Sequence, residues 1–166
     1  MAGEKEFVIK DRLPAAPPHY DQHNEQQLRR ILELSRFSPG SGGGEGTLNF
    51  LVGGCGAMSA GFKGAVRFQF GAVLLSNTVL ADQTGSCVVD VRKVDYATYN
   101  MPTRPNAGDT ICASTPPTLS SAVKSEDLSL VGWTTTIGNG DILTFHVISS
   151  ATVQRVTVAL KYRRTG

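Results

Sequence analysis

The stretch DILTFHVISSATVQRVTVALKYR (141–163) decides the fold class. Leu143, Phe145 and Val147 alternate with Thr144 and His146, and after a short break Val156, Val158, Leu160 and Tyr162 alternate with Thr157, Ala159 and Lys161. A period of two is what a strand shows when one face is buried and the other is solvated. Ser149, Ser150 and Ala151 read as a short connection, which predicts that the two segments pair as an antiparallel hairpin.

Working backwards, the same period recurs. Leu48, Phe50 and Val52 share one face, as do Val66, Phe68 and Phe70 in VRFQF and Cys87, Val89 and Val91 opposite Val88, Asp90 and Arg92. Segments at 72–81 and 128–136 bring the expected number of strands to about seven. The links between them are rich in Gly, Pro, Asn and Ser, with no helical crossover, so an antiparallel β-sandwich or jelly-roll-like module over 47–166 is expected rather than a parallel α/β sheet. Between Val94 and Asp127 the alternation weakens and Pro102, Pro105, Pro116 and Pro117 intervene; this excursion is read as loop.

The first 46 residues differ in kind. Residues 1–20 are polar and end near Pro14-Ala15-Ala16-Pro17-Pro18, which suits an extended arm. Asp21 or Asn24 can cap a helix over about 22–36, where Leu28, Ile31 and Leu32 recur at helical spacing. A helix of about fifteen residues is marginal alone, so this apolar face is read as a docking element. The Gly-rich run 38–46 then acts as a hinge.

Composition narrows the functions. Sixteen basic against fourteen acidic residues give a net charge of +2 without a basic block, which does not indicate nucleic-acid binding. The N-terminus lacks the apolar core of a signal peptide, and no run reaches the ~18 apolar residues of a membrane span, so a soluble protein without membrane insertion is expected. Cys55, Cys87 and Cys112 are widely spaced and odd in number, which supports neither a closed disulfide framework nor a zinc site. Cys87 reads as a core residue, whereas Cys55, amid glycines, is the candidate for an exposed thiol or interchain bridge.

Motifs of catalysis are missing from the sequence. His19 and His23 lie four apart but follow Pro17-Pro18 without HExxH; Gly53-Gly54-Cys55-Gly56 lacks the GK[ST] of a phosphate loop; no GxSxG occurs. His146 falls on the polar side of its strand and reads as a surface or intersubunit histidine. No catalytic residue, metal ligand or cofactor is assigned. Tyr96 and Tyr99 in VDYATYNMPTRP, with Arg104, are instead the candidate ligand or receptor contacts, because aromatic faces stack on sugar rings or fill partner pockets at low entropic cost. Trp133 reads as packed, with its N–H satisfied locally.

Several phrases taken together, GFKGAVRFQF, LADQTGSCVVDVRK, STPPTLSSAVKSEDLSLVGWTTTIGNGDILTFHV and SSATVQRVTVALKYR, resemble a β-module recurrent in virion proteins of tailed bacteriophages: fibre-like, receptor-binding and head-decorating proteins. The likeness spans about 60–164 and is most specific over 116–160; PPHYDQHNEQQLRRILE also resembles phage fibre N-termini. The resemblance implies a noncatalytic virion structural protein, made in the host cytoplasm. It would form a homotrimer, dock on a capsid or tail protein through Leu28, Ile31 and Leu32, and display a module that helps host attachment. A receptor-binding tail-tip or fibre protein recognising a host-surface glycan or protein is the alternative. A polysaccharide depolymerase, or a lectin-like domain unrelated to virions, belongs to other classes.

Overall fold

The computed structural model describes residues 44–54 and 56–165. The arm, the 22–36 helix with Leu28, Ile31 and Leu32, His19, His23, residues 38–43 of the hinge and Cys55 lie outside the described residues. Seven strands follow in order: β1 (Glu45–Gly53), β2 (Gly61–Arg67), β3 (Gly71–Val94), β4 (Thr118–Asp127), β5 (Thr136–Ile137), β6 (Ile142–Ala151) and β7 (Arg155–Thr165), with one 3-10 turn at Ala107–Asp109. All strand pairs are antiparallel, and they make one curled sheet in the order β1-β7-β3-β6-β2, with β4 and β5 on β3.

The sheet is organised by β3, 24 residues long. Its apolar side chains change phase along the strand, from Ala72 and Leu74 to Val79, Cys87, Val89 and Val91, all buried. A register shift against β7 between Leu74 and Ser76 absorbs the extra residue, so both sets face inward despite the break in alternation.

The last two strands do not form the expected hairpin. β7 pairs with Gly71–Ala81 and β6 with Ser86–Val94, both antiparallel to β3 and both on the side away from β4. They therefore run one after the other in the same direction, like a single strand with a jog, and Ser149–Ala151 belong to β6. The jog at Thr152–Gln154 is a corner. Thr152 is in the left-handed region (φ 76°), Val153 is 1% exposed, and Asp82 Oδ1 accepts from the backbone N–H of Gln154 and Arg155 at 3.2 Å each. Opposite it, β3 passes so closely that a Cβ on Gly85 would lie 2.6 Å from the Ala151 carbonyl oxygen. A long partner strand thus outcompetes the local turn, since β3 offers both segments a complete ladder.

The corner lets the sheet bend over itself. Phe50 of β1 stacks on Phe145 of β6 with ring centroids 4.0 Å apart and planes 4° from parallel, although the two strands are not neighbours in the sheet. Phe50 also covers β2 at Gly64, where a Cβ would stand 2.7 Å from the ring. Phe145, Leu143, Leu160, Val156 and Val158 are fully buried at the centre. Each such side chain contributes on the order of 1.5–3 kcal/mol by leaving water.

Two further expectations are corrected. Residues 128–136 form turns rather than a strand, apart from the last of them, Thr136, which opens the two-residue β5. Asp127 Oδ1 accepts from the N–H of Ser129 and Leu130, and Leu130 is buried with φ 48°. Conversely β4 lies inside the stretch read as loop. It has one fully buried anchor, Leu119, and a break at Ser121 (φ 48°), so its alternation is too short to register. Trp133 is packed as expected, and its indole N–H donates to the Thr115 carbonyl at 2.9 Å.

Candidate functional site: an aromatic cleft between the sheet edges

The 94–118 excursion is ordered by short-range polar contacts. Asp95 accepts from the Thr98 N–H at 2.7 Å and hydroxyl at 2.9 Å, which holds its carboxyl below the usual range. Asn106 and Asp109 cap the 3-10 turn reciprocally, and Arg104 pairs with Asp109 through two hydrogen bonds. The guanidinium holds the Asp109 carboxyl below its ordinary value. Of the three predicted contact residues, Arg104 is thereby engaged in shaping the loop, and Tyr99 is half-buried with its N–H on the Asp95 carbonyl at 3.1 Å. Tyr96 is broadly exposed, at 67%, and the Arg104 side chain is 47% exposed. Tyr99 and Arg104 are both held within the loop, Tyr99 through the Asp95 carbonyl and Arg104 through Asp109.

Tyr96 instead reaches β2. The Arg67 guanidinium lies over its ring, 4.8 Å from the centroid. Arg67 is also part of the wall of a cleft of about 200 Å³ lined by Thr47, Leu48, Val66, Arg67, Phe68, Gln69, Phe70 and Tyr162.

The topology explains why the cleft exists. β1 pairs only with β7 and β2 only with β6, so these two strands are the ends of the sheet order, and curling brings them face to face without a ladder between them. Phe50 on Gly64 fills one level of that seam. At the next level Leu48 of β1 and Val66 of β2 are joined by three aromatic side chains, Phe68 and Phe70 from the segment after β2 and Tyr162 from β7. Phe68 meets Phe70 and Tyr162 edge to face at 5.7 Å each, and Phe70 and Tyr162 are tilted at 5.5 Å. The Phe68 backbone is fixed by an N–H bond to the Asp141 carbonyl and a carbonyl bond from Gly140, both 2.8 Å. Tyr162 lies across Gly46, where a Cβ would be 2.6 Å from its ring and hydroxyl. Arg164 then stacks on Phe70, its guanidinium 3.9 Å from the centroid.

A second polar group sits on the outer face of β3 and β6. Asp90 accepts from Arg92 Nε at 2.7 Å and from the Thr110 hydroxyl at 2.5 Å, and the His146 ring is 3.1 Å from the Thr144 hydroxyl. His146 lies on the polar side of its strand, but it is 7% exposed and packed at 5.5 Å against Phe62, not at the surface as expected. Desolvation, and then the Arg92 charge, lower its pKa. With Asp90 committed to Arg92 and Thr110, this group braces the sheet.

Cys87 is 1% exposed, as its core reading requires, and burial pushes its thiol up to about 11. Cys112 is fully buried with its thiol pushed up to about 12. Among the described residues, no group of three or more His, Cys, Asp or Glu side chains is placed to hold a metal ion.

Sequence reasoning identified Tyr96 but not the cleft. Phe68, Phe70 and Tyr162 were legible as inward residues; that they stand at an unclosed edge is set by the strand order. No family model and no curated protein sequence matches the chain.

Proposed function

We propose that the chain is a noncatalytic structural protein of a bacteriophage virion, a head decoration or short fibre that displays the β-module. In this reading residues 1–46 dock on a capsid or tail protein through Leu28, Ile31 and Leu32, the assembled form is a homotrimer, and the curled sheet is a sandwich of the jelly-roll kind. The assignment to virions rests on the resemblance of residues 60–164 described above. Its reading as a display module is supported by one observation: the cleft at the open seam is lined by aromatic and aliphatic side chains with an arginine. Such a lining supplies contact area and orientation.

The same cleft favours a second reading within this class, that the module contacts a host-surface glycan. Aromatic rings beside a cationic group and hydroxyl or amide groups, here Thr47, Gln69 and Tyr162, match the alternating apolar and polar faces of a sugar.

Gold-labelled antibody against the β-module, applied to purified particles and viewed by electron microscopy, tests the first reading. Regular labelling of the shell or of short projections is expected. Particles free of label after denaturing release of all their proteins would overturn it. Replacing Leu28 and Leu32 together by Asp is expected to remove the protein from particles while the isolated chain keeps its β signal in circular dichroism.

A further inference from the structure

We propose that the seam cleft takes the ring of an acidic sugar, a hexuronate or sialic-type unit of a surface glycan, with Arg67 and Arg164 meeting its carboxylate. The proposal rests on the glycan-contact reading and specifies its ligand.

The arginines carry the argument. Arg92, Arg104 and Arg163 pair with Asp90, Asp109 and Glu45. Arg67 and Arg164 pair with no carboxylate among the described residues and lie on aromatic rings, Tyr96 and Phe70 respectively. Stacking uses the face of a guanidinium and leaves the N–H groups in its plane free to grip a carboxylate in two-pronged fashion. One of these arginines lines the cleft and the other stacks on a ring that does. Two nearby carboxylates are engaged elsewhere: Glu45 of β1 by Lys161 and Arg163, and Asp141, in the turn before β6, by Lys93 at 3.6 Å. The remaining lining residues, Thr47, Leu48, Val66, Phe68, Gln69, Phe70 and Tyr162, bear no carboxylate to repel an anion.

Size and surface select the kind of anion. About 200 Å³ is smaller than the roughly 300–1,000 Å³ of sites for drug-sized ligands, so one ring fits and a run of extended peptide does not. Phe68, Phe70 and Tyr162 give an apolar wall for the C–H face of a ring, and Thr47 and Gln69 add a hydroxyl and an amide to the lining. A bare inorganic anion would leave that wall unused. Tyr96 enters as a positioning residue, since its ring supports Arg67 from the loop side.

The test titrates the full chain by calorimetry with three probes: trigalacturonate, an oligomer of N-acetylneuraminate, and carboxyl-reduced trigalacturonate. At least one acidic probe is expected to bind about tenfold or more tightly than the reduced one, the scale of a charge-assisted contact, and to weaken as salt is raised. Arg67→Gln and Arg164→Gln should each lower that affinity about tenfold, with circular dichroism unchanged. Arg67→Lys, which keeps the charge and loses the planar fork, should fall between. Equal binding of acidic and reduced sugars would overturn the acidic assignment and leave glycan contact standing. Binding of none of the three overturns the proposal, and acidic binding indifferent to both Gln variants overturns its location. Particle labelling by antibody is independent of all these outcomes.

Discussion

Replacing Gly85 by Ala tests the corner on which the topology depends. The added Cβ would stand 2.6 Å from the Ala151 carbonyl oxygen, 2.8 Å from Val153 Cγ1 and 3.0 Å from the Val153 nitrogen. Ordinary contact begins at 3.4 Å, so the closest neighbour must yield by about 0.8 Å. Two of these three atoms are backbone, and the third belongs to a side chain that is 1% exposed. None can swing aside into solvent. Overpacking of this sort costs roughly 1–3 kcal/mol. Against it stands a gain of roughly 0.4–1 kcal/mol, because Ala leaves the unfolded chain fewer conformations than Gly. A net loss of about 1–2 kcal/mol follows at the middle of these ranges, or roughly 4–8 °C in Tm for a module of this size.

Gly54→Ala is the matched control. Nothing lies within 4 Å of a Cβ there, so the entropic term acts alone and the variant should be as stable as the parent or slightly more so. Thermal and urea unfolding of the two variants, followed by circular dichroism, reads the difference directly. If Gly85→Ala proves as stable as Gly54→Ala, β3 does not press against the 151–153 corner, and the end-to-end arrangement of β6 and β7 along β3 fails with it. A hairpin of β6 on β7 would give Gly85 no reason to approach those atoms.

Two other outcomes are expected. His146 has a pKa lowered from 6.5 in the fold, so below pH 6.5 the unfolded chain takes up a proton that the folded chain resists; stability should fall from there down through the folded pKa and then level. The lowered carboxylates, such as Asp95 and Asp109 with ordinary values of 3.8, act in a more acidic window, so urea midpoints between pH 7 and 5 isolate the histidine. His146→Gln should flatten that slope, and an unchanged slope would refute the assignment. Cys87 and Cys112, buried and with thiols raised to about 11 and about 12, should resist iodoacetamide at pH 8 in the native protein and react in denaturant. Peptide mapping after brief labelling decides, and native modification of either site would contradict its burial.

What the sequence revealed and what it concealed divide along a physical line. Alternation reports which face of a strand leaves water, and at Phe145, Val147, Val156, Val158 and Leu160 it reported correctly. It carries no information on which strand supplies the neighbouring ladder, so Ser149–Ala151 has the look of a hairpin turn although a 24-residue partner is present for both segments. Residues 128–136 misled for a related reason. Val131 and Trp133 have the spacing of one strand face, yet Val131 is 71% exposed and Trp133 is 8% exposed, because turn bonding to Asp127 and the indole bond to Thr115 set their positions. Tyr96 was legible by type and loop position, whereas its partner Arg67 lies 29 positions earlier and is joined to it only through the curl.

The cleft is thus a consequence of how this sheet is bent. A flat sheet ending in β1 and β2 would leave two separate edges, each open along its length, a liability for pairing with other chains. Folding the long β3 ladder at its corner turns the edges toward one another, and Phe50 locks them where Gly64 removes the side chain that would hold them apart. Beyond that point no backbone ladder closes the seam, so Leu48, Val66, Phe68, Phe70 and Tyr162 are covered by one another and incompletely by the sheet. An apolar wall in that position, flanked by guanidiniums stacked on rings, presents a recess whose shape is set by the rigid ladder on both sides. The lock and the recess therefore depend on each other: any residue larger than glycine at position 64 must displace the Phe50 ring, and the seam that shapes the cleft would open from its base.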